Sequence, residues 1–257
     1  MNTAMDDAAT SHNIQNCPAK ALLSVVVPTL NEANNISATL MNLVDKCSVP
    51  QLCEIVLVDG GSNDSTLNVV QACIPRLEER GLDMRIFRSK RGRAHQMNLG
   101  AEKARGNILL FLHADTLLPP DFDTSIRTAL KSEHLTLGAF RLNTDKNTRS
   151  MQWICHCANL RARLLALPYG DQALFIRRAD FMRVHMFPAL EIMEDFAFAR
   201  RIKRNKGKIF LLTDAVVTSA RRWHKHGYIF TSLCNQMMII GYYLRIPTRI
   251  LARWYRR

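Results

Sequence analysis

Two short apolar runs, each ending on acid, restrict the folds open to this chain more than any other feature. Ile55–Val58 runs into Asp59 and a pair of glycines (EIVLVDGGSND), and Ile108–Leu112 runs into His113-Ala114-Asp115 before TLLPPD turns the chain away. Runs this short and this apolar suit strands covered on both faces. A third such strand is Leu22–Val27, closed by Pro28. It leads into a helix marked by Ile36, Leu40, Leu43 and Val44, which Asn31 can cap. Asp64 stands before Leu67, Val70 and Ile74, a helix that Pro75 ends or kinks. Met84–Arg88 reads as a shorter strand and Ala94–Arg105 as a helix stopped by Gly106. This β–α–β–α–β–α–β order demands parallel strands, right-handed crossovers and helices on both faces. Both acidic strand ends then face the crevice at the carboxyl edge of the sheet.

Periodicity weakens after residue 118. Thr136–Leu142 reads as a strand, Met151–Leu167 as a helix, Ala173–Arg177 as a short strand and Asp195–Asn205 as a helix. Lys208–Leu212 is a last strand, followed by a long helical region. The 257 residues suffice for a substantial core. The expected plan is a flexible tail over 1–20, one α/β domain over 21–220 divided near 118, and a basic helical extension over 221–257.

Lys and Arg number 35 against 22 Asp and Glu, a net charge of +13 that favours nucleic acid, anionic lipid or a phosphorylated substrate. The basic clusters RRADFMR, ARRIKRNKGK, SARRWHKHG and RWYRR all fall after residue 141, with no zinc finger and no RNA-binding aromatic signature, so no nucleic-acid partner is expected. Seven cysteines without a repeating framework fit a reducing cytosol. Cys155-His156-Cys157 lacks the second pair a zinc site needs and reads as one face of an apolar helix. The first twenty residues carry no signal-peptide core. Ile229–Leu244 is uncharged, but Thr231, Ser232, Asn235 and Gln236 interrupt it, which fits a buried or interface-lying helix better than a bilayer span.

VVVPTLNE, EIVLVDGGSNDST, RGRAHQMNLGAEKARGNILLFLHAD and MEDFAFARRIK resemble, in order and spacing over roughly residues 22–227, a family 2 glycosyltransferase with the GT-A fold. The chain also resembles the subgroup carrying HAD, YGDQ, MED and SARRW blocks. The resemblance implies a Rossmann-like, mostly parallel sheet flanked by helices, with the nucleotide half before residue 118 and the acceptor half after it. It implies a nucleotide-diphosphate sugar donor, Mg²⁺ or Mn²⁺, and an unidentified hydroxyl acceptor, the charge pattern not distinguishing a lipid-linked acceptor from a small polar one.

Residue by residue, it sets Pro28 and Glu32 beside the nucleotide, Asp59 as acceptor of base N–H groups and Asp64 in the same pocket. HAD stands where the family has DxD, making Asp115 the cation ligand, while His113 donates a hydrogen bond or coordinates Mn²⁺ without supplying the missing charge. Arg93 contacts diphosphate or sugar, and His95 and Asn98 line the same crevice. Asp171 recognises sugar hydroxyls, Asp195 is the general base of an inverting transfer, and Glu194 orients a substrate. Arg221 and Arg222 hold diphosphate, and either His224 or His226 completes the cation site, spacing alone not choosing between them.

Structural readings stand beside these. Asp59 also suits a turn, and Glu32 and Asp195 also suit helix N-termini. A nucleotidyltransferase shares acidic ligands and basic phosphate contacts but releases diphosphate from a triphosphate; a non-catalytic nucleotide-sugar or membrane-surface binder has no use for Asp195. DGGSND together with MED favours glycosyl transfer. The extension, with Arg245, Arg249, Arg253, Arg256 and Arg257 beside an uncharged helix, suits attachment to an anionic membrane from the cytoplasmic side.

Overall fold

The computed structural model describes residues 22–146, 148–221, 223 and 227–256; the tail expected over 1–20 lies outside the described residues. β1 (Leu23–Thr29), α1 (Ile36–Lys46), β2 (Cys53–Asp59), α2 (Thr66–Glu79), β3 (Asp83–Arg88), α3 (Arg93–Lys103) and β4 (Ile108–Phe111) alternate in the expected order. β5 (Thr116–Leu117), α4 (Phe122–Ala129), β6 (Leu135–Thr144), α5 (Arg149–Leu165), β7 (Leu174–Arg177), α6 (Arg178–Arg183), α7 (Glu194–Arg204) and β8 (Lys208–Thr218) follow. Two helices, α8 (Tyr228–Tyr243) and α9 (Thr248–Arg256), end the described chain.

All eight strands form one sheet in the order β3-β2-β1-β4-β7-β6-β8-β5. The first four pair in parallel, with Thr29 opposite Asp59 and Val26 opposite Phe111. β7 then runs antiparallel to β4 and β6, β6 pairs with β8 in parallel, and β5 pairs with β8 antiparallel. The sheet is therefore mixed, parallel throughout only in the half before residue 112.

Alternation along β1 builds a core on each face. Leu23, Val25 and Val27 join the cluster under α1 and α2, whereas Val26 joins Ala94, Met97 and Ala101 of α3 on the other side. Pro28 sits inside the strand because Leu22 and Val26 accept from Ile108 and Leu112 on the β4 side. Two residues further on, that side has run out of β4, so the missing N–H costs no ladder bond. Gly100 lets α3 lie close on β1, since a Cβ there would stand 2.3 Å from Val26 Cγ1. Gly100→Ala should cost roughly 1–3 kcal/mol through overpacking, read as a lower urea midpoint with unchanged slope.

Four local expectations change. The N-cap of α1 is Asn35, because Asn31 takes a left-handed φ of 55°. α2 continues through Pro75 to Glu79. β8 runs to Thr218, its ladder with β6 carrying it across the polar pair Thr213-Asp214, where the register shifts, to Ala215, Val216 and Val217. The C-terminal helical region breaks at residues 244–247, where Pro247 starts a new turn. Among the described residues no helix is long and apolar enough to cross a membrane.

Candidate active site

A cavity of about 800 Å³ opens over the carboxyl ends of β1 and β4. Its near wall is the Pro28–Glu32 loop, laced to the turn after β2: Asn31 N donates to Ser62 Oγ (2.9 Å), Glu32 N to Thr66 Oγ1 (2.8 Å) and Asn63 N to Asn31 Oδ1 (3.0 Å). Its floor is His113–Asp115, where the Ala114 carbonyl accepts from Thr39 Oγ1 at 2.8 Å. Antiparallel pairing of β5 with the end of β8 brings Ser219 to Asp115, its N–H donating to the Asp115 carbonyl at 3.2 Å. That pairing delivers Arg221, which is distant in sequence, to the acidic floor.

The Arg221 guanidinium lies 2.9 and 3.0 Å from the two Glu32 oxygens and 3.4 Å from Asp115 Oδ2. Burial, with Glu32 beside it, pushes the Asp115 carboxyl up, and Arg221 offsets only part of this. Two carboxylates sharing one cation leave the floor receptive to more positive charge. Those hard oxygen donors fit Mg²⁺ or Mn²⁺ if Arg221 moves aside.

On the opposite wall Arg93, at the start of α3, pairs with Glu194 at 2.8 Å. Glu194 is 3% exposed, and burial raises its carboxyl against the pull of Arg93. Asp195 follows in the first turn of α7, whose N-cap Met193 adopts a left-handed φ of 68°. Asp195 Oδ2 accepts from Gly170 N at 2.6 Å and Oδ1 from Phe196 N at 2.7 Å. Gly170 allows this closeness: a Cβ there would stand 3.0 Å from His113 Nε2 and 3.2 Å from Asp195 Oδ2. His113 is held neutral, burial and then Arg93 pushing its pKa down to about 4.

Asp171 differs from the other acids. Burial pushes its pKa up to about 6, against the pull of Arg161, and its Oδ1 is a buried atom with no hydrogen-bond partner among the described residues. The Tyr169 hydroxyl and Trp223 Nε1 are also buried without a partner among the described residues, and both residues line the cavity. Arg161 stacks 3.5 Å over the Tyr169 ring. Unpartnered polar atoms at a cavity wall are groups that a ligand can satisfy.

Pro28, Glu32, Arg93, His113, Asp115, Asp171, Asp195 and Arg221 thus line one cavity, and Glu194 joins through Arg93. Asp59 and Asp64 do not line it. The buried Asp59 carboxylate accepts from Gly61 N, Ser62 N and Ser62 Oγ, and Asp64, lowered mainly by the Thr66 hydroxyl, also accepts from Thr66 N and Ala33 N. Both shape the turns that hold the loop. Arg222, His224 and His226 lie outside the described residues. Sequence reasoning missed the far wall: Asn235 and Met238 of α8 and Ala252 and Tyr255 of α9. The available signal was Asn235, a polar side chain in an uncharged helix.

Among the described residues, Cys47, Cys53 and Asp123 form a group close enough to hold a metal ion. It lies at the other edge of the sheet, since Cys53 opens β2 and Asp59 ends it. Asp123 already binds Arg127 at 2.6 Å and Ser48 N at 2.9 Å, and Arg127 donates to Cys53 Sγ at 3.4 Å. Two soft sulfurs beside a resident guanidinium do not suit the hard cation of a diphosphate site.

An α/β sheet that gathers acids and arginines over its parallel strand ends is consistent with a GT-A-like, Rossmann-type fold. More narrowly, the family model Glycosyl transferase family 2 matches residues 24–186, and the chain belongs to that family and is a glycosyltransferase. It is 39% identical over 234 residues to the PGL/p-HBAD biosynthesis glycosyltransferase of Mycobacterium bovis and of Mycobacterium tuberculosis, covering 89% of this chain and 85% of theirs. The undecaprenyl-phosphate 4-deoxy-4-formamido-L-arabinose transferase of Pseudomonas fluorescens is 27% identical over 157 residues, 60% of this chain and 46% of that one. A mannosyltransferase of Pyrobaculum calidifontis, solved with GDP-Man and Mn²⁺, shares the fold with a TM-score of 0.61 at 22% identity. The alignment covers 78% of this chain and 57% of that structure, so the chain spans little more than half its length.

Proposed function

We propose that this glycosyltransferase moves a sugar from a nucleotide-diphosphate donor to an acceptor hydroxyl with inversion at the anomeric carbon. The observation that carries the reading is one cavity holding an acid–arginine floor (Glu32, Asp115, Arg221) and a second, separate acid, Asp195. The acceptor oxygen bonds to the anomeric carbon as the bond from that carbon to the diphosphate oxygen breaks. The nucleoside diphosphate leaves with the electron pair, and Asp195 takes the hydroxyl proton. Asp115, with Glu32 beside it, and His224 or His226 would hold Mg²⁺ or Mn²⁺, which would supply positive charge for the leaving diphosphate. Arg221, Arg222 and Arg93 hold phosphate oxygens; Pro28 and the turns shaped by Asp59 and Asp64 bound the nucleotide side. His113, neutral, donates one hydrogen bond to the donor. Glu194 and Asp171 orient sugar and acceptor.

The subgroup with HAD, YGDQ, MED and SARRW blocks, the division near residue 118, and a place at the cytoplasmic face of a membrane with a lipid-linked acceptor complete the reading. The undecaprenyl phosphate in the name of one relative supports the lipid-linked acceptor alone. Incubating the purified protein with a panel of nucleotide sugars tests the whole. Nucleoside diphosphate and a glycosylated product are expected, whereas diphosphate released from a nucleoside triphosphate would establish a nucleotidyltransferase instead.

One observation favours a second assignment of the base. Both Asp195 oxygens already accept backbone N–H groups, whereas Asp171 Oδ1 is unpartnered and its pKa of about 6 suits proton uptake. If Asp171 is the base, the acidic limb of kcat/KM sits near pH 6 and vanishes in Asp171→Asn. Stability has its own pH signature. The folded carboxyl holds its proton up to about pH 6 but the unfolded one only to 3.8, so the folded state loses stability as pH rises through that window and the loss persists above it. Asp171→Asn should therefore be more stable than wild type at pH 8 by up to about 3 kcal/mol, with the difference gone below pH 3.8. Urea midpoints at the two ends of that range check the sign.

A further inference from the structure

α8 turns two unlike faces in opposite directions. Ile229, Phe230, Leu233, Met237, Ile240 and Leu244 recur at helical spacing on its outer side, with Ile229 78% exposed and Leu244 70%. Thr231, Met238 and Gly241 are buried on the inner side, where Asn235 and Met238 line the cavity. α5, which packs against α8, repeats the pattern. Trp153, Leu160 and Leu164 stand one above another in solvent, at 68%, 46% and 70% exposure, while Met151, Cys155, Ala158 and Ala162 are buried beneath them.

Charge indicates what covers these stripes. A chain with 22 acidic residues places none in 146–170 and none in 215–257, the stretches that contain the two helices. Those stretches hold Lys146, Arg149, Arg161 and Arg163, and eight further Lys or Arg residues after 215. Arg245, Arg249 and Arg253 are exposed beside the α8 stripe. Exposed apolar rows with aromatic residues, in segments purged of negative charge, match an anionic lipid surface.

We propose that α5 and α8 dock together on an anionic bilayer, and that the acceptor enters the cavity from that surface past the inner side of α8. This rests on the glycosyl-transfer reading for the acceptor but not for the docking. It extends the membrane contact from the C-terminal segment to α5, whose stripe precedes that segment by more than sixty residues.

The test is sedimentation of the full chain with vesicles of phosphatidylglycerol and phosphatidylcholine, and with phosphatidylcholine alone. Binding only to the anionic vesicles is expected. Arg245→Gln/Arg249→Gln/Arg253→Gln should reduce partitioning on the order of a hundredfold. Leu233→Ser/Ile240→Ser on α8 and Trp153→Ser/Leu164→Ser on α5 should each reduce it about tenfold or more, with circular dichroism and urea midpoints like wild type. No binding, or equal binding to both vesicle types, overturns the proposal. Wild-type binding by the α5 variant overturns the two-helix face. A dimer in sedimentation velocity without lipid, dissociated by Leu233→Ser, replaces the bilayer with a second copy of the chain. Calorimetry of UDP and GDP binding on the same variants separates the readings. Lost docking with intact nucleotide binding leaves glycosyl transfer standing, and intact docking without any nucleotide binding removes it.

Discussion

Asp195→Asn will lower glycosyl transfer on the order of a hundredfold or more while leaving nucleotide-diphosphate affinity nearly unchanged. The asparagine occupies the same volume but cannot take the acceptor proton. One of the two backbone N–H groups that now reach the carboxylate, from Gly170 and Phe196, will lose its acceptor, so a stability loss of about 1 kcal/mol accompanies the change. Product formation and calorimetry on the same folded variant separate these effects. Near-normal turnover transfers the base role to Asp171, and lost donor affinity makes Asp195 part of the donor site. Retained anomeric configuration in the first-formed product, seen by NMR, would overturn inversion whichever acid proves essential.

Asp115→Asn is expected to act on the other half of the reaction. With Mn²⁺ present it should weaken nucleotide-diphosphate binding by roughly a hundredfold, and with the cation chelated it should change binding little. The fold should not suffer. Burial and the neighbouring Glu32 already strain the Asp115 charge, and Arg221 keeps its contacts of 2.9 and 3.0 Å with Glu32 when that charge is gone. Equal affinities for wild type and variant in the presence of Mn²⁺ would remove Asp115 from the cation site.

The parallel half was legible because its signals are local. An apolar run, an acid or glycine at its end and a helix of fixed period identify β1, β2 and β4 within a residue or two. The second half was legible only in part, because the ends and pairings of its strands are set by partners. β5, two residues long, is too short for any period, β7 was read within a residue of its bounds, and β8 crosses the polar pair Thr213-Asp214 because β6 holds it on the far side. The antiparallel joins that make the sheet mixed leave no mark in composition. The same holds at the site: Asp115, Asp171 and Asp195 stood out as acids at element ends, but whether a carboxylate is free or already spent in a turn depends on backbone N–H groups. That is why Asp59 and Asp64 read like their neighbours and yet face their own loops. Arg221 was recognised by its motif, while its approach to Asp115 required the β5–β8 pair.

The two walls of the cavity have separate origins in the chain. The acids of its floor, Glu32 and Asp115, lie inside the stretch matched by the family model, residues 24–186, whereas Asp195, Arg221 and the far-wall residues Asn235, Met238, Ala252 and Tyr255 arrive from beyond it. Sheet hydrogen bonding fixes the first wall; the second is two terminal helices whose Met238, Leu251 and Ala252 pack into the core cluster on that face of the sheet. A chain so built can exchange its last two helices while the strand-end floor stays fixed, and a graft made after Gly227, which keeps Arg221 in place, would show whether a change of that wall changes the acceptor used.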